Sequence, residues 1–386
     1  MAPDLLRFAT MNFPLLRFLL PFLLSWQACK AAEISIPGSA VTTGQLIATT
    51  ATLATEGAQI AGLQFDLEWD AGLSVQIVAG SGLASSGKLL YSAQLAPRST
   101  RILIVGFNQA SLLDGELLRL FVVAGSPGGS QLRLTNMVGA TPDGDAIAIR
   151  GLATTFRIDP GPSGPALLSE SVLNAASLRN GPIAPGEIVT LLGAFGITPD
   201  SSPGIVATVN GIAASVLYAS GNQINTVVPW GLDAAKPAEL AIRSQKSQFA
   251  QVIVPMAAAS PALFTQNGAG IGPGAILNED YSPNSTSNPA PAGSVVMMYG
   301  TGFGLLNPPG KDGQAGVLST TTLPVSAKIA GVQAEVLYSG AAPGLPSGVI
   351  QINIRVPAGV TSRSAAAIEL RAGTFEIPAG VTLAIR

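Results

Sequence analysis

The stretch Gly186-Glu-Ile-Val-Thr-Leu-Leu-Gly193 returns 107 residues further on as Gly293-Ser-Val-Val-Met-Met-Tyr-Gly300. Each is a short apolar run between glycines, the length of one buried strand and too short for a helix. The echo continues. Ala213-Ala-Ser-Val-Leu-Tyr218 returns as Gln333-Ala-Glu-Val-Leu-Tyr338, and Gln223-Ile-Asn225 returns as Gln351-Ile-Asn353, each with a proline six residues after its glutamine (Pro229, Pro357). From Gln223 to Arg243 the offset holds at 128, and upstream Asn174-Ala-Ala-Ser177 precedes the first copy much as Asn284-Ser-Thr-Ser287 precedes the second. The C-terminal half therefore reads as a tandem duplication of a unit of about a hundred residues.

Both copies are cut by Gly and Pro roughly every ten residues and hold no helix-length periodic segment, which predicts two small Ig-like β-sandwiches, 166–271 and 272–386. Gly193-Ala-Phe-Gly196 and Gly300-Thr-Gly-Phe-Gly304 lack the following Lys-Ser/Thr and helix of a phosphate loop, so they read as tight turns. The second copy is longer. Extra residues precede its Val-Leu-Tyr strand, and Ala341-Ala-Pro-Gly-Leu-Pro-Ser347 intervenes before Gln351, so these loops are natural places for a specialised contact. In front of the pair, Asp159-Pro-Gly-Pro-Ser-Gly-Pro165 reads as a stiff linker and domain boundary.

Residues 33–158 carry β patterning throughout. In Ala61-Gly-Leu-Gln-Phe-Asp-Leu-Glu-Trp-Asp70, the residues Leu63, Phe65, Leu67 and Trp69 alternate with Gln64, Asp66, Glu68 and Asp70, the period of a half-buried strand. Arg101–Phe107, Gly115–Val123, Gln131–Leu134 and Ala146–Ile149 continue the series, split by turn residues, as in a sandwich. Asp66, Glu68 and Asp70 invite a metal reading, but successive Cα atoms on one strand face lie about 6.7 Å apart. The outer two cannot share an ion held at about 2.4 Å, so the trio reads as a solvated face. Asp143-Gly-Asp145 lacks a calcium loop's ligand ladder and reads as a turn.

At the N-terminus, Arg7 and Arg17 lead into the apolar run Phe18–Trp26, followed by small residues. This is the pattern of a secretory signal over residues 1–32, with cleavage expected near Ala31 or Ala32. The run is shorter than the ~20 residues a membrane span needs. The one cysteine, Cys29, is expected to leave with the signal.

Composition excludes much. The chain of 386 residues has no histidine and one cysteine, so imidazole metal sites, His-dependent nucleophiles and disulfides are out by count. A net charge of −2 offers no footprint for nucleic acid. The 11% charged residues and the 44 Gly and 29 Pro suit all-β modules with many turns. No cofactor, metal ligand set or catalytic residue emerges.

Two resemblances add to this reading. The order of a Phe-x-Leu-x-Trp-Asp strand at 65–70, an Arg-x-Leu-x-Val-x-Phe strand at 101–107, then Asp114-Gly-Glu-Leu-Leu118 with Leu120-Phe-Val-Val123, resembles a cohesin module. That resemblance implies a jelly-roll β-sandwich over 33–158 and a protein partner of the dockerin type, in the setting of extracellular polysaccharide degradation. Across about 164–386, Asn174-Ala-Ala-Ser177, Ala184-Pro-Gly-Glu-Ile-Val-Thr190, Tyr299-Gly-Thr-Gly302, Gly340-Ala-Ala-Pro-Gly-Leu345 and Gln351-Ile-Asn-Ile-Arg-Val-Pro357 resemble the uncharacterised C-terminal domain of secreted acidobacterial (Solibacter-type) proteins. It implies a compartment and supplies no chemistry.

Three classes of function follow: an exported binding or scaffolding protein, a purely structural surface or adhesion protein, or an enzyme needing a carboxylate pair in a cleft. The scattered acidic residues favour the first, and a non-enzyme. A sandwich filled by its own side chains must recognise a partner through an outer face or loops. A polysaccharide is the alternative to a protein partner. Glycan sites need exposed aromatics, and in the front module Tyr91 alone lies outside a strong strand pattern, which makes it the candidate surface contact.

Overall fold

The structure, a computed structural model of the chain, describes residues 31–161, 166–195, 204–243 and 249–386. Residues 1–30, with most of the expected signal, and 162–165 of the expected linker lie outside the described residues.

The described chain is all-β apart from one short helix, and its front part is a sandwich. Its strands are β1 (Glu33–Ser35), β2 (Ala40–Thr42), β3 (Leu46–Ala54), β4 (Gly62–Trp69), β5 (Leu73–Ala79) and, after helix α1 (Ser81–Ser85), β6 (Leu89–Ala96). There follow β7 (Ser99–Val105), β8 (Gly115–Ala124), β9 (Gly128–Ala140), β10 (Ala146–Ile147), β11 (Arg150–Gly151) and β12 (Thr154–Asp159). One sheet is five-stranded, in the order β11-β1-β3-β8-β5; the other is seven-stranded, β2-β12-β9-β4-β7-β6 with β10 on β9. The core lies between them. Leu63, Phe65, Leu67 and Trp69 of β4 face inward with Ile102, Ile104 and Phe156, and meet Ile34, Leu53, Leu118, Leu120 and Val122 of the other sheet.

The first copy holds β13 (Ala166–Asn174), β14 (Ile188–Ala194), β15 (Val206–Val209), β16 (Ile212–Ala219), β17 (Gln223–Val227), β18 (Ala238–Arg243) and β19 (Phe249–Val254), ordered β13-β14-β17-β16-β15-β18-β19. The second holds β20 (Ala262–Leu263), β21 (Gly272–Pro273), β22 (Ile276–Leu277), β23 (Val295–Thr301), β24 (Leu306–Asn307) and β25 (Thr320–Thr321). It continues with β26 (Val325–Ile329), β27 (Val332–Ala341), β28 (Ile350–Arg355), β29 (Arg363–Ala372), β30 (Phe375–Glu376) and β31 (Val381–Ile385). The run β23-β28-β27-β26-β29 repeats β14-β17-β16-β15-β18.

The repeated words have repeated structures. Asn210-Gly211 and Ala330-Gly331 turn the equivalent hairpins, all four residues at positive φ. The ladder slips between Val216 and Tyr218 in one copy and between Val336 and Tyr338 in the other, so Leu217 and Leu337 occupy the same bulge. In each Gln-Ile-Asn the glutamine Nε2 donates to the asparagine Oδ1 two residues on, at 2.9 Å and 2.8 Å. One pairing drawn on the sequence changes. Leu173 pairs with Thr190, and Leu277 pairs with Met297 at the matching place, so the counterpart of Asn174 is Asn278 rather than Asn284. The sheet of the second copy also reaches back to Ala262, which pairs with Thr301, ahead of the 271/272 boundary.

Residues Ala31–Arg386 form one compact unit. The loops that lengthen in the second copy grip the first copy's Trp230. Its indole N–H donates to Ser347 Oγ at 2.8 Å, its backbone N–H donates to Asp312 Oδ1 at 3.1 Å, and it is part of the second copy's core. Gly186, at φ +75°, lies under that ring so closely that a Cβ would fall 2.2 Å from it, whereas Gly293 at the same place in the second copy meets nothing. The front sandwich packs on the first copy through Leu46, Val78 and Phe121 against Leu173 and Leu192. It meets the second through Ile271, which joins the front core.

Candidate functional site

The outer face of the seven-stranded sheet is the functional candidate. Register sets Tyr91 opposite Leu103, Leu103 opposite Gln64, and Gln64 opposite Val138, so these side chains form one row across β6, β7, β4 and β9. Tyr91 is 40% exposed, Leu103 36% and Val138 47%. The next row holds charge. Arg101 clamps Asp66 with Nε to Oδ1 at 2.7 Å and Nη2 to Oδ2 at 2.9 Å, and Asn136 Nδ2 donates to Oδ2 at 2.7 Å. Asn136 reaches it from a bulge in β9, where its φ of 50° suits asparagine. Farther along, Thr135 donates to Glu68 at 3.1 Å and Arg133 Nη2 donates to Asp70 Oδ1 at 2.7 Å.

The solvated-face reading of Asp66 is therefore corrected. Its side chain is 2% exposed, covered by the arginine and asparagine that bond it. Arg101's hydrogen bonds hold the carboxyl below its ordinary range, against burial, and Asn136 adds to the effect. Asp70 is held low by Arg133 and the backbone N–H of Gln131. Carboxylates fixed as anions and saturated by donors are poor proton shuttles. Among the described residues no cluster of acidic or thiol groups could hold a metal ion.

Tyr91 lies on β6, the edge of its sheet, whose residues from Tyr91 to Ala96 are all exposed. The sequence pattern carries the strand from Arg101 through Phe107, which places Phe107 at its end. The strand β7 stops at Val105, and Phe107 projects from the following bend at 76% exposure. The Gly106 and Asn108 that flank it are the turn signal that could have shown this. Of the expected cleavage residues, Ala31 is exposed, while Ala32 is buried and its carbonyl accepts the Arg150 N–H at 2.8 Å.

A second site, unmarked in the sequence, lies between the copies. A cavity of about 270 Å³ is lined by Asn174, Arg179, Glu187, Ser260 and Phe375, among others. Glu187, from the repeated phrase, is buried there, where the second copy has Ser294. Asn174 Nδ2 donates to its Oε1 at 2.8 Å and the Ala184 N–H to its Oε2 at 2.7 Å. Burial, outweighing both bonds, pushes the carboxyl up to about 8.

No family model matches the sequence. No curated protein matches it either. Among solved structures the chain is similar over about a third of its length to cohesin modules. A non-cellulosomal cohesin from the hyperthermophilic archaeon Archaeoglobus fulgidus matches at 17% identity over 34% of this chain and 92% of its own, with a TM-score of 0.30. The cohesin of a type I cohesin–dockerin complex from Clostridium thermocellum matches at 16% identity over 34% of this chain and 100% of its own, with a TM-score of 0.31. A cohesin module from a family 33 glycoside hydrolase of Clostridium perfringens matches at 15% over 34% and 97%, with a TM-score of 0.29. No helix among the described residues is long and apolar enough to cross a membrane.

Proposed function

We propose that this is an exported, non-catalytic docking protein whose front sandwich takes a protein partner of the dockerin type on the outer face of its seven-stranded sheet, with the two C-terminal copies as a fixed mount. The observation that carries the reading is the contrast between that sandwich's two outer faces. One is closed by the first copy through Phe121, and the other presents the row Tyr91, Leu103 and Val138 beside a pre-ordered ion pair. An apolar centre with a polar, already bonded border is the make-up of a docking patch. The cohesin-like strand order in the sequence supports a protein as the partner, and the signal-like N-terminus supports export.

A glycan is the second reading, favoured by the exposure of Phe107 together with Tyr91. The full chain is tested side by side against proteins of a culture supernatant and a panel of polysaccharides. Saturable retention of a protein that is lost on Tyr91→Ala is expected. Saturable binding to cellulose or xylan that is lost on the same change, with no protein retained, overturns the order of the two. Export is checked by the N-terminus of secreted material, expected near Ala31 or Ala32. A start at Met1 or Met11 refutes it.

A further inference from the structure

One sizeable cavity is unused by that reading. A groove of about 700 Å³ runs between the front sandwich and the second copy, with Lys88, Leu89 and Phe107 on one wall and Ile271, Arg363 and Gly380 on the other. Its size falls in the range of small-molecule sites, roughly 300–1,000 Å³. The walls are tightly built. A Cβ on Gly272 would come within 2.9 Å of Leu89, and one on Gly380 within 3.1 Å of Ile271.

The charge on these walls has one sign. Lys88 is 1% exposed, and among the described residues its ammonium has a single hydrogen bond, to the Asn108 carbonyl at 2.9 Å. Arg363 stands exposed at the start of β29, and none of the described residues bonds its guanidinium. No Asp or Glu lines the groove. Glu369, on the same strand, opens instead onto a neighbouring cavity with Arg371. A buried ammonium without a counter-charge is costly, and burial lowers the Lys88 pKa accordingly. An anion in the groove would offset that cost. A guanidinium fork suits a carboxylate, and the apolar walls suit a hydrocarbon body.

We propose that this groove binds a small organic carboxylate with an apolar body, its charge toward Arg363 and Lys88 and its body along Leu89, Phe107 and Ile271. The site is independent of the outer sheet face. Calorimetric titration of the full chain with hexanoate, decanoate and 3-phenylpropanoate tests it, with decanol as the uncharged control.

At least one carboxylate should bind saturably, and decanoate should bind about tenfold more tightly than decanol, the value of one charge-assisted hydrogen bond. Arg363→Ala, at an exposed and unbonded side chain, should remove that preference without changing decanol binding or thermal stability. Lys88→Gln keeps a donor for the Asn108 carbonyl and should weaken decanoate alone. No saturable binding of any of the three, equal affinity for decanoate and decanol, or decanoate binding unchanged in Arg363→Ala overturns the proposal.

Discussion

The two outer faces of the front sandwich are built by the same alternation and end differently. On the five-stranded sheet the outward side chains include Leu46, Val78, Phe121 and Val123, and the first copy covers them. Polar ties flank that joint, with Gln76 Nε2 donating to the Asn222 carbonyl at 3.0 Å and Arg119 Nη1 to Asn180 Oδ1 at 2.7 Å. On the seven-stranded sheet the outward set is Gln64, Asp66, Arg101 and Arg133, with one apolar row that stays exposed. Period two tells which side chains share a face; the chemistry of the outward set tells whether that face becomes an internal joint or stays in water. Two buried carboxyls repeat the contrast. Asp66, on the open face, has an arginine and is held low, whereas Glu187, in the cavity between the two copies, has only neutral donors and is pushed up.

The largest effect should come from the closed face. Phe121 is 1% exposed in the joint, and Phe121→Ala leaves a cavity that neither partner can easily fill. A loss of about 3–5 kcal/mol is expected in denaturant unfolding, against about 0.5 kcal/mol or less for Leu95→Ala on the exposed β6 edge. Similar losses at both sites would break the distinction between the faces.

Glu187 sharpens the comparison through pH. Its folded pKa of about 8 lies above the ordinary 4.5, so between these values the folded carboxyl keeps a proton that the unfolded chain has released. Its contribution is fully present below pH 4.5 and declines as pH rises to about 8, by at most ~1.4 kcal/mol per pH unit. Glu187→Gln should abolish that slope. It should also cost about 1–3 kcal/mol at low pH, because the amide nitrogen must meet either the Asn174 or the Ala184 donor. An unchanged slope in the variant would mean that some other group titrates.

Asp66 should behave in the opposite sense. Its lowered pKa makes a contribution that is present above the ordinary value of 3.8 and is lost as pH falls through the folded value. Arg101→Gln removes the main cause of the lowering, so the acid limb of the stability profile should move to higher pH. A limb that does not move would show that Asn136 suffices to hold the anion.

Much of this was legible. The alternation from Leu63 to Trp69 located β4 and its inward face, and the repeated phrases marked equivalent strands down to the same bulge after Val216 and Val336. What was hidden depends on distant partners. The run Leu120-Phe-Val-Val123 reads as a strand with two apolar sides, yet nothing local says that Leu173 and Leu192 cover Phe121. Period two turns Asp66 outward but cannot show Arg101 and Asn136 folding over it, the latter from a bulge 70 residues away. Nothing in the first copy's own sequence marks Trp230 as the residue that loops found only in the other copy hold.

The smallest effect on stability should carry the largest effect on function. Leu103 lies mid-row between Tyr91 and Gln64 and is 36% exposed, so the carboxylate of Leu103→Asp can stay in contact with water in the free protein and the substitution should change stability by about 0.5 kcal/mol or less. In the proposed docked complex the same position lies at the centre of the patch, where a partner must exclude water. A carboxylate there would be desolvated without a counter-charge, since Arg101 in the next row is already committed to both oxygens of Asp66. Partner retention by the full chain should therefore fall at least tenfold while the unfolding curve stays in place, and Leu95→Ala on the adjoining edge should leave both unchanged. Retention that survives Leu103→Asp would remove the open face as the docking surface. A large loss of stability in the same variant would show instead that the row is part of the core, and the contrast between the two faces would not stand.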